Sequence, residues 1–71
     1  MHPADIKAAL AKKGRPAAKV ARRLRITKGT VSRVISGRDT SRRVANHISR
    51  VIDVPVSQIW PGRYDENRSA R

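Results

Sequence analysis

Residues 17–37 read AAKVARRLRITKGTVSRVISG, and their apolar spacing decides the fold. Val20, Ala21 and Leu24 recur at helical spacing and make one ridge, Ile26 falls in a short break, and Val31, Val34 and Ile35 make a second ridge. Two short helices joined by a tight turn satisfy this pattern. A small residue at Ala21 lets the second of them cross closely, as a helix-turn-helix requires. The same stretch sits inside a one-signed run: from Ile6 to Arg38 there are eleven Lys or Arg and no Asp or Glu. Such a run around this motif points to a polyanion, with double-stranded DNA the leading candidate.

Outward from that stretch, the bulk properties bound the rest. Seventy-one residues make one small domain, near the lower limit at which a core holds without staples. Phe is absent, so seven Val and six Ile, with Trp60 as the largest piece, must supply the interior. There is no Cys, which excludes disulfides and Cys-based metal centres and fits a reducing compartment. The formal net charge of +12 weakens the compact state by self-repulsion, so a bound anion is expected to stabilise it. No apolar run approaches the ~18 residues of a membrane span. The start, MHPADIKAAL, lacks the layout of a secretory signal. A soluble cytoplasmic protein is the expectation.

Local signals then place the remaining helices. Pro3 suits a first helical turn and Asp5 the positive end of that helix. Ile6, Ala9 and Leu10 give its apolar face, and Gly14 offers a left-handed cap after Lys12 and Lys13. Pro16 restarts the chain as the second helix, ending near Leu24. Arg25 occupies the turn position where Gly is commonly preferred; a left-handed conformation there costs about 1–2 kcal/mol. Thr27 caps a third helix that ends near Ser36-Gly37. Asp39-Thr40-Ser41 offers caps for a fourth, in which Val44, Ala45, Ile48 and Ile52 keep helical spacing and Val51 broadens the face. Asp53-Val54-Pro55 breaks it, and Val56 to Trp60 reads as one last turn, with Trp60 closing the core. The expected architecture is all-α with five helices. The domain spans residues 1–62, and 63–71 form a flexible C-terminal tail.

If the second and third helices pack through their ridges, the opposite flank of the third is open to a ligand. Lys28, Gly29, Ser32 and Arg33 are the expected base-reading residues, because the N-terminal part of a helix reaches deepest into the major groove. Lys28 and Arg33 lie about one and a half turns apart. Arg33 can donate two bonds to guanine, Lys28 is a less directional donor, and Gly29 allows backbone to approach a base closely. Thr27, Thr30 and Ser36 are placed for flanking phosphates. Arg15, Lys19, Arg38, Thr40, Arg42 and Arg43 lie at helix ends or loops beside the same flank, where they would set register on the backbone. Any one such surface arginine is as readily solvated as bound.

Other chemistries find little support. His2 and His47 lack partners at metal-ligand spacing and read as ordinary surface residues, so no metal or cofactor is expected. Five acidic residues leave little for a paired-carboxylate or Ser-His-Asp site, and no glycine-rich phosphate loop occurs. The chain is not expected to be an enzyme. Two competing classes stay open: an antitoxin-type protein-interaction module, which needs a docking segment beyond the domain, and a charge-driven, non-specific nucleic-acid binder.

The run VARRLRITKGTVSRVISG and the order of helices resemble the λ-repressor-like domains of phage and bacterial regulators. HPADIKAAL at residues 2–10 and IWPGRY at 59–64 resemble the Ner family of Mu-like phage repressors. Together the two layers cover about residues 2–64. The resemblance implies a compact five-helix λ-repressor-like domain whose second and third helices form the helix-turn-helix, a transcriptional repressor function, and a place in the bacterial cytoplasm or nucleoid. The chain departs from it at Arg25 and in SGRDTSRRVA, which lacks the proline- and tryptophan-containing loop of that family. No long heptad helix forces dimerisation, so a homodimer formed only on DNA is as compatible with the sequence as a constitutive one.

Overall fold

Helix starts and stops follow the sequence signals closely. The computed structural model describes residues 1–64, which form α1 (Pro3–Lys12), α2 (Ala17–Leu24), α3 (Lys28–Ser36), α4 (Arg42–Ile52) and α5 (Val56–Ile59). Three starts are capped by side chains that accept an orphan backbone N–H: His2 Nδ1 from Ala4 at 3.1 Å, Thr27 Oγ1 from Thr30 at 3.1 Å, and Ser41 Oγ from Val44 at 3.3 Å. α2 and α5 begin after Pro16 and Pro55 instead.

The first four helices all end the same way. A left-handed residue follows each, and the next N–H reaches back to a carbonyl of the last turn: Arg15 to Leu10, Ile26 to Ala21, Arg38 to Arg33 and Val54 to Ser49. Gly14 and Gly37 supply the left-handed residue after α1 and α3. Arg25 (φ 60°) and Asp53 (φ 60°) supply it after α2 and α4. Asp tolerates this conformation through its short polar side chain; Arg has no such compensation. The turn of the helix-turn-helix therefore carries strain at Arg25. Replacing Arg25 by Gly should raise unfolding free energy by about 0.5–1 kcal/mol, the relieved strain less the greater unfolded-state entropy of Gly. Urea melts of the two proteins check this.

Packing follows the ridges. Val20 and Ala21 of α2 are buried against Val31, Val34 and Ile35 of α3, and this is the most extensive helix pairing. Ile6 and Leu10 of α1 and Val44, Ala45, Ile48 and Ile52 of α4 close the other sides of the same core. Leu24, Ile26 and Val51 are half-buried at its edge.

The C-terminal boundary differs from the expectation that the domain stops at residue 62. Tyr64 is buried at 7 % exposure, its ring meets Trp60 edge-on with centroids 5.8 Å apart, and its Oη accepts the Ser41 N–H at 3.2 Å. Arg63 donates to the Gly37 carbonyl. Both residues belong to the folded unit, because an isolated aromatic can bury its ring while its hydroxyl satisfies a loop amide. Residues 65–71 of the expected tail lie outside the described residues. Trp60 fills the core, and its Nε1–H donates to the Ile35 carbonyl at 3.2 Å, one of the orphan acceptors at the end of α3. At the same end of the molecule the N-terminal ammonium donates to the Ile59 carbonyl at 2.8 Å, tying residue 1 to the end of α5.

Candidate nucleic-acid interface

α3 is held from behind and bare in front. Val31, Val34 and Ile35 are buried. At about 100° per residue, Gly29, Arg33 and Ser36 fall on the opposite side of the helix, and all three are exposed. Lys28 and Ser32 lie on one flank, exposed and half-buried respectively; Thr30 lies half-buried on the other. Of the expected base-reading set, Gly29 and Arg33 share the outward surface, while Lys28 and Ser32 sit at one rim and Thr30 at the other. The Thr30 hydroxyl is within 2.9 Å of Thr27 Oγ1, so both threonines are committed to the cap of α3. The Ser36 hydroxyl donates to the Arg33 carbonyl at 3.2 Å.

Arg33 is oriented by a residue the sequence reading took only as a helix cap. Its Nε donates to Asp39 Oδ2 at 2.9 Å, and this is the one ion pair among the described residues. With the side chains 53 % and 50 % exposed, the pair contributes little stability, about 0.2–1 kcal/mol. Its consequence is geometric: pairing through Nε leaves the two terminal nitrogens as the outward edge of the guanidinium. The signal was visible, since Asp39 is the sole acid between Asp5 and Asp53, but only the fold of the α3–α4 loop shows which cation it takes. That loop is pinned by Arg63 at Gly37 and by Tyr64 at Ser41, while Trp60 holds the last turn of α3 at Ile35.

The expected phosphate-contacting residues fall into two groups. Arg38, Thr40 and Arg42 are exposed along the α3–α4 connection and the start of α4. Arg43 is exposed as well, yet its Nη2 donates to the Leu24 carbonyl at 2.7 Å, capping the C-terminus of α2. A guanidinium has further donors, so this bond adds a structural duty without consuming the side chain. Arg15 and Lys19 sit at the start of α2, on the other side of the motif. α2, α3 and α4 have no acid in their first turns, although a helix N-terminus favours negative charge. Lys28 and Arg42 instead open α3 and α4 with a cation. Thr27 and Ser41 each satisfy one backbone N–H at the α3 and α4 starts, but no acidic side chain of these first turns supplies a counter-charge.

His47 of α4 is not an ordinary surface residue. It is half-buried, and its Nε2 is enclosed without a hydrogen-bond partner among the described residues. Burial lowers its pKa from 6.5, and the charges of Arg23, Arg50 and Arg15 lower it further. The unfolded chain therefore binds the proton more readily than the folded one, so stability is lost as pH falls through 6.5 and regained above it. His47→Gln should flatten that dependence; thermal melts across this pH range test it.

No group of His, Asp and Glu able to hold a metal occurs among the described residues, and none of their helices is long and apolar enough to cross a membrane. No curated protein and no solved structure matches the chain. A family model for winged helix-turn-helix DNA-binding domains matches residues 1–71, its full length. The five helices are accompanied by no strand among the described residues, so the wing has no counterpart there. A buried α2–α3 ridge, a bare cationic α3 surface and a match over the whole sequence together place this chain in the winged helix-turn-helix DNA-binding family.

Proposed function

We propose that the protein is a sequence-specific regulator of transcription, a repressor of the Ner-like phage type, that lays α3 in the major groove of double-stranded DNA. Lys28, Gly29, Ser32 and Arg33 read bases. Thr27, Thr30 and Ser36 beside them, together with Arg15, Lys19, Arg38, Thr40, Arg42 and Arg43, hold phosphates. Arg33 addresses a guanine with its terminal nitrogens while Asp39 fixes the plane of the fork. The two end segments that carry the Ner-like resemblance meet at the bond between the N-terminus and Ile59, which supports reading them as one feature. A two-fold dimer would place two α3 helices about 34–36 Å apart, one helical turn of DNA.

The observation that carries this reading is Gly29. Its φ is ordinary for a helix. A Cβ built there would meet only Arg33 Nη1 at 3.8 Å and Thr27 Oγ1 at 3.9 Å, both ordinary contacts. Nothing inside the described protein requires a glycine at the centre of the outward surface, and glycine in a helix costs up to about 0.5–1 kcal/mol relative to alanine. A surface that must come within contact distance of base edges explains the missing side chain.

Gly29→Ala should therefore stabilise the fold slightly and weaken binding to the preferred duplex, two effects of opposite sign. Arg33→Ala should cost about 1–3 kcal/mol on that duplex and relax preference at one base pair. Selection of the preferred duplex from a random pool, followed by titration of both variants on it and on random DNA, decides the matter. Equal losses on specific and random duplexes would remove the base-reading assignment.

A further inference from the structure

A strongly cationic concavity among the described residues contains no residue of α3. Arg15, Lys19, Arg22 and Arg23 line an open hollow of about 340 Å³, roughly ten times the ~30 Å³ share of one liquid water and ample for a hydrated phosphate. On α2 the last three fall on the side away from the buried Val20 and Ala21. None of the four side chains makes a hydrogen bond or ion pair with another described residue; the one ion pair among the described residues is spent on Arg33. α4 packs alongside α2 and brings His47 into the electrostatic reach of Arg15 and Arg23, and Arg50 of its own helix acts on it as well. Like charges gathered without a counter-charge repel one another, and the fold gains nothing internally from the arrangement. Arg22, Arg23 and Arg50 had no place in the sequence reading of the interface.

We propose that the hollow formed by Arg15, Lys19, Arg22 and Arg23, flanked by His47 of α4, is a second phosphate-binding site, distinct from the outward surface of α3 and sharing Arg15 and Lys19 with the phosphate contacts proposed above, that holds a nucleic-acid phosphodiester. The site stands whether or not α3 reads bases. Its geometry suits an anion held from several sides, with Arg22 and Arg23 as directional donors and Lys19 as a mobile one. Binding there is linked to protons. The groups facing His47 are Arg15 before α2, Arg23 on α2 and Arg50 on its own helix, and all three disfavour the imidazolium. An anion among them offsets their field, while the burial that is the larger cause remains. Phosphate occupancy therefore raises the His47 midpoint part of the way back, and the site tightens as pH falls.

The direct probe is inorganic sulfate, whose charge is constant over this pH range, added to the full chain against chloride at matched ionic strength. His47 ring signals are followed by NMR through a pH titration. A saturable upward displacement of the His47 midpoint is expected, and it should vanish in the double variant Arg22→Gln/Arg23→Gln, whose fold is checked by its thermal melt. A displacement equal to that in chloride, or one retained by the double variant, overturns the site.

A second experiment identifies the source of the phosphodiester. If it belongs to the duplex already engaged by α3, the log–log salt slope of single-duplex binding becomes shallower in the double variant by about 0.9, the share of one neutralised phosphate. If it belongs to a second duplex, that slope is unchanged, and the wild type bridges two differently labelled duplexes where the variant does not. If neither change is seen, the nucleic-acid assignment is overturned. Loss of sequence preference in the wild type would instead count against α3 and leave the sulfate result standing.

Discussion

Raising the salt from 50 to 200 mM should weaken binding to a duplex by about 500-fold. Arg15, Lys19, Arg38, Arg42 and Arg43 are the five cations assigned to phosphates; at about 0.9 released counterions per neutralised phosphate they give a log–log slope near −4.5. The charge is held in place: Arg43 is tied to the end of α2 and Arg33 to Asp39, so less side-chain freedom is lost on binding. Titrations at four or five salt concentrations measure the slope directly. A slope shallower than about −2 would mean that fewer than half of these side chains reach phosphates. The slope should be nearly the same on random DNA, since backbone contacts carry no sequence information. Only the Gly29 and Arg33 variants separate the two duplexes.

Trp60→Ala should cost about 3–5 kcal/mol. A domain of 71 residues has a total stability of only about 4–10 kcal/mol, so the variant would be largely unfolded at physiological temperature. Three losses coincide at this one side chain. The largest buried ring leaves a cavity among aliphatic neighbours, the Ile35 carbonyl loses its donor, and Tyr64 loses the ring it packs against. Trp60→Phe separates these terms. It keeps most of the volume but strands the Ile35 carbonyl, at about 1–3 kcal/mol for an unsatisfied buried acceptor. Chemical denaturation followed by circular dichroism measures both. A loss under 1 kcal/mol for Trp60→Ala would show that the 59–64 segment is an attachment to the domain and no part of its core.

The candidate site was partly legible in the residues. The outward set on α3 could be read because helical periodicity fixes which residues oppose a buried ridge, and the structure puts Gly29, Arg33 and Ser36 opposite Val31, Val34 and Ile35. Charge sign was readable too. The partners were not. Arg43 meets the end of α2 across 19 residues of sequence, and Trp60 meets the end of α3 across 25. His47 read as a surface histidine because one residue on a half-polar helix has no local mark of burial; its surroundings come from Arg15 and Arg23, far away in the chain.

Taken by itself, then, the amino-acid order determined where each helix begins and ends, which stripe of each turns inward, and that the molecule is strongly cationic. Those properties depend on caps, left-handed stops and apolar spacing within a turn or two of the chain. Tertiary structure alone decided that Asp39 takes Arg33, that Tyr64 belongs to the core, and that four cations of the α2 flank share a hollow apart from α3. Such pairings turn on crossing geometry and loop paths, and a linear pattern of residue types does not encode either one legibly.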